Sequence, residues 1–185
     1  MPRQKPRIAF LAGALALAGS IAWGADPQPA SPAVKVLTVG GASLSLSWDP
    51  KWIVSDSAPD ADSAEFHTAD PLQMSVQLSV GQIPSGAAPE AFRSYVMDKA
   101  SKEFLEQSVE KSLDVKPIGS GELRGSKVCA TDRAPKPKEY KYVCQGVLTG
   151  GDAAVIFTLL YNDSGKAAAA KAASALEALQ FSKGA

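Results

Sequence analysis

The chain has 185 residues, with 19 basic and 19 acidic side chains that cancel to a formal net charge of zero. That balance excludes the strongly cationic surface of a nucleic-acid binder, and two cysteines with a single histidine are too few and too dispersed for a zinc centre. The length is that of one ordinary domain, large enough to bury a real core.

Arg3, Lys5 and Arg7 precede an uncharged, mostly apolar run from Ile8 to Trp23. This is the layout of a secretory signal peptide, residues 1–24, with Ala22 and Gly24 as the small residues before a cut at Ala25. The competing reading is an uncleaved anchor, but the run falls short of the ~20 apolar residues that usually span a bilayer and is loosened by Gly13 and Gly19. Cleavage leaves 16 basic against 19 acidic residues, no transmembrane segment, and a periplasmic or secreted protein. Residues 25–38 read as a flexible, proline-rich tether ("DPQPASPA") and an opening strand, and 39–183 as a single globular domain.

In chain order, "VKVLTV" and "ASLSLSW" are β-prone runs separated by Gly40-Gly41, a hairpin turn signal. Short strands are expected at Trp52–Val54 and Glu65–Thr68. In "LQMSVQLSVGQI", Leu72, Met74, Val76, Leu78 and Val80 fall on one face of a strong strand. From Pro89 to Ser108 the period lengthens to near 3.6, which predicts a helix with Phe92, Val96, Ala100 and Phe104 on its apolar stripe. "LDVKPI", two strands around the cysteines and "AAVIFTLLYN" add further β structure, the last with the continuous apolar character of a strand covered on both faces. "SGKAAAAKAASALEALQF" is expected to close the chain as a second helix.

Cys129 and Cys144 flank "APKPK", whose prolines suit a connecting loop. An exported chain with an even pair of cysteines favours a disulfide over two buried thiols. A hairpin with Cys129 opposite Cys144 sets Thr131 against Tyr142 and Val128 against Gln145, at the separation a disulfide needs. A C-x-x-C redox motif is absent.

Strands, helix, strands and helix, without regular βαβ alternation, predict an α+β fold: an antiparallel β-sheet with helices packed on it. The segment "DPKWIV", the strand "DPLQMSVQLSV" leading to the helix at Pro89, and "VIFTLLYN" followed by "SALEALQFS" resemble the PsbP-like superfamily over Val39 to Ser182. That superfamily includes the extrinsic photosystem protein PsbP and many small bacterial envelope proteins. The resemblance implies an α/β/α sandwich and mostly non-catalytic accessory or binding roles, and it transfers no active site.

Residues with the makings of a catalytic set are few. A serine triad requires a histidine held by an acid, and His67, the single candidate, alternates with Phe66 on a strand. Neither G-x-S-x-G nor a phosphate loop is present. Asp56, Asp60, Asp62 and Glu65 form an acidic stretch with the hard oxygens calcium prefers, but without EF-hand spacing. The tip between the cysteines carries Arg133, Lys136, Lys138, Tyr140 and Tyr142, a set suited to an acidic protein partner, or equally to a solvated hairpin guarded by lysines. The expectation is a non-enzymatic, cofactor-free envelope protein that acts by contact with an unidentified protein partner, with an inhibitor or immunity protein as a specific version. The alternatives are a small-ligand or metal carrier using the acidic stretch, or a weak enzyme.

Overall fold

The computed structural model describes residues 33–39, 42–56, 62–119 and 121–183. The segments expected to be a signal peptide and a tether, through residue 32, the expected turn at Gly40-Gly41, and Asp60 lie outside the described residues.

Among the described residues, two antiparallel sheets and two α-helices make up the body. The larger sheet has seven strands: β3 (Ile53–Asp56), β4 (Ser63–His67), β5 (Met74–Gln82), β6 (Lys116–Ile118), β7 (Arg124–Thr131), β8 (Tyr142–Gly150) and β9 (Ala153–Tyr161). Their order across the sheet is β3-β4-β5-β9-β8-β7-β6. The smaller sheet has the order β1-β2-β10, from β1 (Ala33–Val39), β2 (Ala42–Trp48) and β10 (Gln180–Lys183). Helix α1 (Pro89–Gln107) and helix α2 (Lys166–Glu177) lie on opposite faces of the larger sheet, as their different core partners show.

Alternation along the strands assigns each face. Met74, Val76, Leu78, Val155, Phe157 and Leu159 point to the side that receives α2, through Ala169, Ala172 and Leu176, and the small sheet, through Leu37, Leu44 and Leu46. Each fully buried side chain of this kind contributes about 1.5–3 kcal/mol. On the other face Val96, Met97 and Ala100 of α1 pack on Val128 and Val147, with Phe92, Phe104 and Ile156 at the margin. The stripe read from the sequence is the face that α1 buries, whereas Tyr95 beside it is 67% exposed. Strand β9 is thus covered on both sides, which is why it reads as an apolar run.

Packing demands glycine at several positions, and Gly146 is the one set against a core ring. Gly146 lies opposite Phe157, and a Cβ there would come within 2.2 Å of the ring.

The end of the chain departs from expectation. Helix α2 stops at Glu177, and Gln180–Lys183 pairs with β2, setting Phe181 opposite Leu44. Leu179 is buried and Phe181 packs on the core, so the apolar residues that extend a helical stripe on paper are used with a period of two. This short strand, with the β1-β2 hairpin, forms the second sheet.

Candidate functional site

The hairpin of β7 and β8 has the register the cysteines imply: Cys129 faces Cys144, Thr131 faces Tyr142 and Val128 faces Gln145. The sulfurs are bonded at 2.08 Å across a sequence separation of 15. Cys144 is buried against the α2-side core, while Cys129 is exposed.

Beyond the disulfide, residues 132–141 fold back onto three neighbouring segments. The first is the carboxyl end of α1. Arg133 donates from Nε and Nη2 to the Ser108 carbonyl at 3.1 and 2.7 Å, and its backbone N–H bonds the Gln107 carbonyl at 2.9 Å. The last turn of α1 carries no basic residue, so Arg133 brings to the negative end of the helix dipole the cation it lacks. Just beyond, Val109 N–H bonds the Thr131 carbonyl at 3.0 Å. The Glu110 carboxylate accepts from the Ser108 hydroxyl and, at 3.0 Å, from the Thr131 N–H. Desolvation pushes the Glu110 carboxyl up, but the Ser108 and Thr131 donors outweigh it and hold its pKa at about 2.

The second neighbour is the loop before β5. Tyr140 donates its hydroxyl to the Pro71 carbonyl at 2.8 Å, and desolvation followed by the charge of Glu65 raises its pKa. The third is the turn after β9, where Asn162 takes the Lys141 N–H on Oδ1 at 2.8 Å and donates from Nδ2 to the Leu72 and Glu139 carbonyls at 2.9 and 3.3 Å. Tyr142 stacks on Tyr161 with ring centroids 4.9 Å apart and donates to Asp163 at 2.7 Å. The Lys141 and Lys166 ammonium groups both reach Asp163 at 2.8 Å and lie 5.2 and 4.9 Å from the Tyr142 ring centroid. Those hydrogen bonds, that of Lys141 foremost, hold the Asp163 carboxyl far below the usual carboxylate range.

Of the five tip residues singled out from the sequence, Arg133, Tyr140 and Tyr142 are therefore structural braces as well as surface groups. Lys136 and Lys138 project. Lys136 is exposed, with a 3.9 Å ion pair to Glu139, and Lys138 occupies the left-handed region at φ 71°, a conformation that fixes the apex of the loop. The bracing residues Glu110, Asn162 and Asp163 were not foreseen. Asn162-Asp163 before Ser-Gly is a turn signal, but nothing local announces its partners 21 to 90 residues away.

Of the acidic stretch, Asp60 and the Asp56 side chain lie outside what the structure describes. Asp62 is exposed, and Glu65 accepts the Ser75 hydroxyl at 2.8 Å. Among the described residues no three His, Cys, Asp or Glu side chains gather as metal ligands. His67 faces Ser75 across β4 and β5, an arrangement the sequence did not suggest, but its Nδ1 lies 2.8 Å from the Thr68 carbonyl. Ser75 is 1% exposed and donates its hydroxyl hydrogen bond to Glu65. A cavity of about 20 Å³ beneath α2 is lined by Ile118, Cys144, Phe157, Leu159 and the Lys127–Glu177 ion pair, which is room for about one water. Among the described residues no helix is long and apolar enough to cross a membrane.

No protein-family model matches the chain. No curated protein matches it either. Among solved structures it is similar to the solution structure of cyanobacterial PsbP (CyanoP) from Synechocystis, with 11% identity, 86% of this chain and 98% of that chain covered, and a TM-score of 0.53. The chain has a PsbP-like fold. A crystal structure from Bacteroides thetaiotaomicron, 18% identical over 76% of this chain and 45% of that one, has a TM-score of 0.41 and carries no weight on the fold.

Proposed function

We propose that this protein is an exported, non-catalytic accessory protein of the bacterial cell envelope that works by contact with another protein through the loop between Cys129 and Cys144. The observation that carries the reading is the bracing of that loop. Its ends are joined by a disulfide, and Arg133, Tyr140 and Asn162 tie it to three separate segments. A surface held this firmly loses little conformational entropy on binding, so Lys136 and Lys138 are presented in advance to an acidic partner, with Tyr140 supplying contact area. The disulfide suits an oxidising compartment, and the apolar run behind Arg3, Lys5 and Arg7 suits export. An inhibitor or immunity protein that occludes an envelope-acting hydrolase or toxin is a specific form of this reading.

The test is capture from envelope extract by the native chain and by the double charge reversal Lys136→Glu and Lys138→Glu. Native protein is expected to retain a partner that the reversed variant loses. Equal recovery by both removes the loop from the interaction, and residence of the chain in the cytosol with free thiols removes the export premise.

A further inference from the structure

Among the described residues the two sheets end in four edge strands, and three of them are short. Strand β3 has four residues, β10 has four, and β6 has three, one of them Pro117, which lacks a donor. Strand β1 differs. It runs seven residues without proline and, among the described residues, pairs with β2 alone; on its outer face Val34 and Val36 are 58% and 52% exposed beside exposed Thr38. A long edge of unpaired backbone groups rimmed by β-branched side chains is a template for another strand.

The hairpin geometry tells which backbone groups face outward. Val39 pairs with Ala42 across a two-residue connection, so it belongs to the hydrogen-bonded pair that closes the hairpin. Alternation then turns the N–H and C=O of Leu37 toward β2 and those of Thr38, Val36 and Val34 away from it. We propose that these groups pair with their own counterparts: β1 associates antiparallel with β1 of a second copy of this chain, about a two-fold axis at Val36.

The residues select that register. Centring on Val36 sets outward-facing positions against one another, Val36 opposite Val36 and Val34 opposite Thr38 of the second copy, and engages all seven residues. A centre between two residues would oppose outward with inward positions and form no ladder. Centring on Lys35 would align two like charges directly across the strands and leave two residues of each strand unpaired. The contact is isologous, and it joins the small sheets of both copies into one of six strands, β10-β2-β1-β1-β2-β10. Val34, Val36 and Thr38 then form a contiguous apolar strip across the axis. The association uses a surface separate from the loop of residues 132–141.

Sedimentation of the chain as recovered from cells, together with oxidative cross-linking, tests the proposal. A concentration-dependent dimer is expected, weakened several-fold by Val36→Lys and unchanged by the Lys136→Glu, Lys138→Glu pair. The native cysteines are bridged, so a single new thiol reports position. Val36→Cys should form a covalent dimer on mild oxidation, with the thiols at facing positions. Thr38→Cys should not, because its two copies stand four strand positions apart, about 13 Å. A chain that sediments as a monomer up to millimolar concentration, or equal cross-linking by the two variants, overturns the proposal.

Discussion

Glu110 shows how much one side chain can organise. It sits a few residues past α1 and uses its carboxylate to satisfy the hydroxyl of Ser108, which is 1% exposed, and the N–H of Thr131 on the neighbouring hairpin. Its folded pKa of about 2 lies below the ordinary value of 4.5. A depressed carboxyl stabilises the fold fully above the unfolded value, and that contribution is lost as pH falls from about 4.5 toward 2. Glu110→Gln should therefore lower the melting temperature at pH 7, and the deficit should shrink steadily in melts taken down to pH 2. A deficit independent of pH would mean that the carboxylate charge contributes nothing. Gly146 makes a second residue-scale case, one of exclusion instead of bonding. Gly146→Val must displace the Phe157 ring from a packed core, and overpacking of this sort costs about 1–3 kcal/mol, read as a lower midpoint in urea with unchanged slope.

At the scale of elements, the disulfide hairpin is the part that the amino-acid order announces most openly. Two β-prone runs, a proline-containing connection and a cysteine in each run leave few registers, and the pairing of Thr131 with Tyr142 follows from the cysteines alone. Replacing both cysteines by serine should cost about 3 kcal/mol for a loop of this length, or about 6–12 °C in melting temperature, and reductant should reproduce the loss in the native chain. A melting curve insensitive to both would show that the ladder of β7 and β8 with the α1 clamp suffices without the bridge. Helix α1 was legible for a similar reason: nineteen residues give its apolar stripe time to repeat. Strand β10 was not, because four residues after a helix cannot establish a period, and Phe181 fits the end of α2 as well as the edge of a sheet.

For the whole molecule, the layering was readable and the surface was not. Apolar alternation in β5 predicts one buried face and the continuous run of β9 a sheet covered on both sides, and the α1 and α2 faces bear that out. The division into two sheets depends on strands distant in sequence, β2 and β10, finding each other, and no local pattern carries that information. The candidate contact surface divides the same way. Its charges stand in the sequence, but whether Arg133 and Tyr140 point to solvent or back onto the body is decided by carbonyls at Ser108 and Pro71, 25 and 69 residues away. A composition of lysines and tyrosines thus names a region, and long-range hydrogen bonds decide which of its members remain to meet a partner.

The bond between Cys129 and Cys144 also makes the projecting loop a closed covalent ring. A peptidase that severs the backbone anywhere between the two sulfurs opens the circle yet releases no fragment, since the halves stay tethered while the flanking strands keep their alignment. A single scission within that ring therefore separates nothing.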